Sequence, residues 1–316
     1  MAAPSINLQD PFQGRRWLRL LVPDPECGFR LAPQLDVPAR SLGFSLTSNR
    51  FGLRGPDDAT GDGVLLGTSF TMGIAVNNGE NWWELGVPGR GWMNLGIAVG
   101  FREWENLLNR FYQGAHDRAV LLYHPNFWVH CRLYERWRKS GLDVFKSLRW
   151  RTDLPFCAYL KLRRALRRPA SVASGRLLDV PTPDGPMEVD ASYVDLDPDA
   201  DPEFLSRNLA ILTSLLARFR EVQVVRLRVK QEVVPDAQSN DRLRATCRGY
   251  DRWYEILKSG LASHPRIQFN EPPTPELADF HLRDSHWNAR GNHRFASWIA
   301  GRLGNAPAGV TRFTST

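Results

Sequence analysis

The stretch Gly63-Val64-Leu65-Leu66-Gly67-Thr68-Ser69-Phe70-Thr71-Met72-Gly73 decides how the rest of the chain is read. Val64 to Leu66 is a short apolar run between glycines, the pattern of a strand buried on both faces of a sheet. Gly67 and Gly73 bracket a turn, and Thr68, Ser69 and Thr71 sit where the strand stops. A serine there lies on the carboxyl edge of a parallel sheet, the rim where open α/β folds keep their ligands. The same residues also suit an ordinary strand-to-helix turn with a capping Ser or Thr.

Working outward, the chain repeats the strand-then-helix pattern. Met93 to Ala98 reads as a second strand and turn, followed by Phe101 to Tyr112 with apolar residues at 101, 104, 107, 108 and 111, a helical spacing. Arg118 to Tyr123 is a third strand ending at His124-Pro125-Asn126, with a helix from Phe127 to Arg138. Glu203 to Phe219 and Asp241 to Leu257 are helices, Val222 to Val229 and Arg266 to Phe269 are strands, and a last helix runs to Leu303. Alternation of this kind specifies an α/β protein, with a parallel sheet of about five strands covered on both faces. Residues 1–60, rich in Pro, Asp and Arg, read as an N-terminal arm packing on a 61–305 domain, and 306–316 as a flexible tail. Residues 140–200 break the rhythm and read as an insertion, a lid or substrate collar. Within it Ala158 to Arg168 is basic and amphipathic, either a solvated helix face or a weak contact for an anionic substrate or membrane surface.

The composition is that of a soluble globular chain: 316 residues, 42% hydrophobic, 24% charged. The 41 basic against 34 acidic residues give a net charge of +7, a mild excess compatible with an anionic substrate or surface. Nucleic-acid binding needs the excess concentrated on one element; the 158–168 run is the one candidate, and no nucleic-acid partner is expected. Cys27, Cys131, Cys157 and Cys247 are far apart and lack metal-ligand spacing. They read as idle thiols, with disulfides left open. No run has the length of a signal core or membrane span, so the default expectation is cytoplasmic, or periplasmic or exported if a leader was removed.

Acyl chemistry on a hydroxyl needs a base for its proton, a carboxylate to orient that base, and donors for the oxyanion. Ser69 supplies the hydroxyl at a strand end. His286 lies between the last strand and the last helix, and Asp284 two residues before it can accept from the ring. Asp-x-His by itself also arises as surface chance or a cap, and Asn288 suits capping the last helix. The turn Gly96-Ile97-Ala98-Val99-Gly100 can present backbone N–H groups, and Asn126 can add its side-chain amide. What stands out is the order: Ser after strand one, a glycine turn after strand two, Asn after strand three, Asp-x-His before the last helix.

That order resembles the SGNH (GDSL-type) hydrolase superfamily. Gly67 to Gly73 is similar to its Gly-Asp-Ser-Phe-Thr-x-Gly block, Asn94 to Gly100 to its Asn-x-Gly block, and His124 to Phe127 to its Gly-x-Asn-Asp block. Asp284-Ser285-His286-Trp287-Asn288 is similar to the Asp-x-His-Trp-Asn variant of alginate-acetyltransferase-like members. The lead-in Thr47 to Gly55 also looks like the segment before the first block in one branch. The resemblance covers most of 40–305 and is strongest in the first and last blocks. It implies a flavodoxin-like three-layer α/β/α sandwich and an esterase with the triad Ser69, His286 and Asp284. The oxyanion donors it implies are the Ser69 amide, the Val99 or Gly100 amide, and Asn126. The substrate expected is a small-molecule or carbohydrate ester, with no metal or organic cofactor. Three positions depart from the pattern: Thr68 replaces the usual aspartate, the oxyanion glycine is shifted by one, and Asn126 lacks its flanking glycine and aspartate. O-acetyl transfer with the same triad, or a carbohydrate-binding member without activity, are the competing readings. Trp82, Trp83, Trp104, Trp128, Trp150 and Trp287 suit core packing or sugar stacking.

Overall fold

The computed structural model describes residues 20–39, 43–55, 57, 63–87, 91–112, 117–140, 177–180, 182, 187–190, 201–234, 240–282 and 285–303. From the amino end, β1 (Leu21–Asp24) and β2 (Gly28–Leu31) form one antiparallel pair, and β3 (Asp36–Val37) and β4 (Leu46–Thr47) a second. Then come β5 (Gly63–Gly67), the one-turn α1 (Ser69–Met72), α2 (Trp82–Gly86), β6 (Trp92–Gly96), α3 (Phe101–Phe111), β7 (Arg118–Tyr123) and α4 (Asn126–Ser140). A hairpin of β8 (Leu177–Val180) and β9 (Met187–Asp190) follows. The chain closes with α5 (Pro202–Leu216), β10 (Glu221–Arg226), a 3-10 turn at Lys230–Val233, α6 (Asp241–Leu261), β11 (Ile267–Asn270), a 3-10 turn at Leu277–Asp279 and α7 (Ala289–Arg302).

Five strands make the central sheet in the order β6-β5-β7-β10-β11, all parallel. This is the flavodoxin-like arrangement, an α/β/α sandwich, and the expected fold class holds. From β5 the chain steps to β6 on one side, and from β6 it crosses over to β7 on the other. The crevice beyond the carboxyl ends of β5 and β7 is therefore the topological switch point, where such sheets take their ligands.

Burial on both faces explains the unbroken apolar strands. Val64 and Leu66 point into one hydrophobic layer and Leu65 into the other, and Ala119, Leu121 and Tyr123 alternate with Val120 and Leu122 in the same way. The larger layer packs α3, α4, α5 and α6 on the sheet through residues such as Trp104, Trp128, Leu215 and Trp253. The other is built from α2 and α7, where Trp82 stacks edge-on against Phe295 at 5.1 Å. Helix ends follow local chemistry. Asp201 accepts from the Phe204 N–H at 2.9 Å with Pro202 opening α5, and Asn240 accepts from the Leu243 N–H at 3.0 Å to start α6.

Leu21, Phe29, Leu31, Phe44, Leu46 and Leu53 of the N-terminal segment join the larger core layer. Within 140–200 the described part is the β8–β9 hairpin, whose Met187 and Val189 pack on Val234 and Leu243. The basic run 158–168, Trp150, Cys157 and the tail 306–316 lie outside the described residues. Cys27, Cys131 and Cys247 are free thiols. Trp82, Trp83, Trp104, Trp128 and Trp287 are buried, which makes them core and corrects the sugar-stacking alternative for these five. No described helix is long and apolar enough to cross a membrane.

Candidate functional site

Ser69 opens α1 immediately beyond β5, the second strand of the central sheet. Thr68 supplies the N-cap in extended backbone and its carbonyl accepts from the Thr71 and Met72 N–H groups, both at 3.0 Å. Gly73, at φ 77°, ends the turn in the left-handed region that glycine favours. The Thr68 side chain is buried and makes no capping hydrogen bond.

Two polar side chains and one glycine fix this turn from outside. Asn94 on β6 donates to the Thr71 carbonyl at 2.9 Å and accepts from the Gly96 N–H at 2.7 Å, tying the second motif to the first. Gly96 is needed because a Cβ there would stand 2.2 Å from the Met72 nitrogen. Arg54, from the lead-in segment, is buried and donates to the carbonyls of Met72, Gly73, Ser45 and Val76 and to Asn78 Oδ1. Burial draws its guanidinium down to about 10, which leaves it charged at neutral pH.

His286 reaches the serine from the far end of the chain. Its Nε2 lies 2.6 Å from Ser69 Oγ, a hydrogen bond joining residues 217 positions apart. The ring also packs on Phe70, centroid to centroid 4.7 Å, and Trp287 meets Phe70 edge-on at 5.4 Å. The loop bearing His286 is closed by backbone pairing: Phe280 bridges Trp287, and the His281 N–H donates to the His286 carbonyl at 3.1 Å. Asn288 is the N-cap of α7, accepting from the Gly291 N–H at 3.1 Å and donating to the carbonyls of Ala278 and Phe280. Asn292 holds the same corner to α2 by accepting from the Trp82 N–H at 3.1 Å.

Lys230 was not singled out in the sequence, yet its buried ammonium donates to the carbonyls of His281 at 2.6 Å and Leu282 at 3.1 Å. It holds the start of the loop whose other end is His286. The one signal in the sequence is a lysine at the end of the Val222 to Val229 strand stretch, where a buried cation must find acceptors.

Asp284 lies outside the described residues. Asn126 stands half-buried at the start of α4, off the carboxyl end of β7 and beside the switch point. The turn after β6 is arranged differently from the expectation. The Val99 N–H donates to the Ile97 carbonyl at 2.9 Å, so its amide is engaged within the chain rather than turned to an oxyanion. The Gly100 N–H faces the Glu103 carboxylate. Burial raises the pKa of that carboxyl, while Arg138 and the backbone N–H groups of Glu103 and Gly100 oppose the rise. The first-turn Ser69 amide and Asn126 are thus the two expected donors this arrangement leaves at the rim. Comparisons with protein-family models, with curated proteins and with solved structures find no match for this chain.

Proposed function

We propose that this protein is a serine-dependent hydrolase of oxygen esters, of SGNH type, working through an acyl-serine intermediate. The observation that carries the reading is the 2.6 Å hydrogen bond between Ser69 Oγ and His286 Nε2 at the switch-point rim of the sheet. The resemblance of the four motifs, in order, supports it.

In this mechanism His286 Nε2 takes the Ser69 proton as Oγ attacks the ester carbonyl carbon. The Ser69 N–H and the Asn126 side-chain amide receive the oxyanion. As the tetrahedral intermediate collapses, the imidazolium returns the proton to the departing alcohol. Water, deprotonated by the same ring, then releases the acid and frees Ser69. Asp284 is assigned the part of holding the His286 tautomer. The substrate is a small-molecule or carbohydrate ester, with acetyl the first acyl group to try.

The test is an activated acetyl ester and acetylated sugars, with wild type beside Ser69→Ala. Loss of such a nucleophile costs on the order of 10⁴- to 10⁶-fold in turnover. A Ser69→Ala rate within tenfold of wild type removes Ser69 from the mechanism. Adding free sugar as acceptor separates hydrolysis from transfer: acetylated sugar as the main product reassigns the chain as a transferase.

A further inference from the structure

His124 lies at the switch point, between β7 and α4, where the SGNH pattern has a glycine. Its side chain is 1% exposed. Its Nδ1 accepts from the Asn126 N–H at 2.9 Å, Pro125 stands in the turn immediately before α4, and the Phe127 N–H donates to the His124 carbonyl at 3.0 Å. This is the geometry of a helix cap, in which a side-chain acceptor takes the N–H two residues on. Ser, Asp and Asn ordinarily do that with far less volume. The imidazole has a second contact that those side chains could not make. It stacks on Phe70, with centroids 6.2 Å apart and planes 18° from parallel, and the Phe70 ring also packs against His286. The rings of His124, Phe70 and His286 thus run in a row behind Ser69. An Nδ1 that accepts places the proton of the neutral ring on Nε2.

We infer that His124 is a positioning residue, whose Nδ1 acceptor fixes Asn126 at the place where an oxyanion would form. The inference rests on the serine-hydrolase reading above. The Asn126 N–H anchors the backbone from which the side-chain amide reaches the rim. Without the acceptor, the first turn of α4 is free to rotate or fray, and the amide loses its aim. The ring stack on Phe70 is a packing contact, separable from the acceptor by substitution.

Two variants separate them. His124→Asn keeps an acceptor for the N–H two residues on and removes the ring, while His124→Phe keeps a ring against Phe70 and removes the acceptor. Both are measured with wild type and Ser69→Ala for kcat and KM on an activated acetyl ester, with thermal midpoints. The expected result is His124→Asn within about threefold of wild type in kcat, and His124→Phe down by about 10²-fold in kcat with KM little changed, the worth of one misplaced oxyanion donor. Equal kcat for His124→Phe and wild type overturns the inference and leaves His124 a helix cap. A His124→Asn rate below a tenth of wild type overturns it too, in favour of the ring stack, and decides the matter alone if His124→Phe does not fold. Wild type no faster than Ser69→Ala overturns the serine reading itself, and the inference with it. A wild type far more active than Ser69→Ala with an unaffected His124→Phe overturns the inference only.

Discussion

Replacing Arg54 by methionine tests whether the nucleophile turn is held from the N-terminal segment. The guanidinium donates to five oxygens, and three of the acceptor residues, Met72, Gly73 and Val76, are buried. Methionine keeps much of the length and removes every donor, so three buried carbonyls lose a partner at about 1–3 kcal/mol each. Removing a buried charge returns a desolvation cost of several kcal/mol, so the net loss is about 2–5 kcal/mol. At roughly 2–4 °C per kcal/mol, the thermal midpoint falls by about 4–20 °C. The carbonyls of Met72 and Gly73 end the turn that Ser69 begins, so Ser69 moves as well. A displacement of about 1 Å costs around 10²-fold in rate. The assay is a thermal melt with acetyl-ester turnover measured well below the variant's midpoint. Arg54→Lys, with one compact ammonium for five scattered oxygens, falls in between. A midpoint within about 2 °C of wild type with an unchanged rate would refute the view that Arg54 holds the turn.

Three further outcomes follow from the same geometry. Gly96→Ala drives a Cβ to 2.2 Å from the Met72 nitrogen and 2.5 Å from the Thr71 carbonyl carbon, so the one-turn helix must shift. Stability falls by about 1–3 kcal/mol, and wild-type turnover in this variant would show that the close approach of β6 to α1 is dispensable. Burial draws the His124 imidazole down to about 3 from its ordinary 6.5, so the unfolded chain binds this proton at higher pH than the folded one. Its contribution is complete above about pH 6.5 and is lost as pH falls towards 3, at about 1.4 kcal/mol per pH unit. Denaturant melts of wild type and His124→Asn between these limits should differ in slope by about that amount, and parallel curves would show that the ring is not held neutral. Lys230→Met removes two loop anchors next to the His286 turn and lowers turnover by about 10- to 10²-fold. A change in midpoint with no change in turnover would make Lys230 a support of the fold alone.

Most of the sheet was legible because its strands are short apolar runs ended by polar or glycine turns. Arg118 to Tyr123 matches β7 residue for residue, and Phe101 to Tyr112 differs from α3 by one residue at its end. The five-residue α2 was not read from the sequence, since it is too short to show a period. Its signs were Asn81 at the N-cap and Glu84 three residues on. The β8–β9 hairpin was hidden in a stretch read as a broken insertion, although Asp184-Gly185 between Leu177–Val180 and Met187–Asp190 is a turn signal. In the site, Ser69 and His286 were found by their places in the strand order. Arg54 and Lys230 escaped because each is a buried cation whose acceptors are backbone carbonyls of distant segments, a relation no local pattern encodes. The Val99 expectation failed for a similar reason: any residue but proline carries an N–H, and the direction it takes depends on the Ile97 turn.

The measurement that bears most directly on the serine–histidine pair is covalent labelling. The 316-residue chain is incubated with a fluorophosphonate probe and the adduct is located by peptide mass spectrometry. The adduct is expected on Ser69, absent from Ser69→Ala, and formed far more slowly in His286→Ala, because the probe needs an activated hydroxyl. A folded wild-type chain with Ser69 unlabelled, or labelled at the same rate with and without the His286 imidazole, would contradict the account.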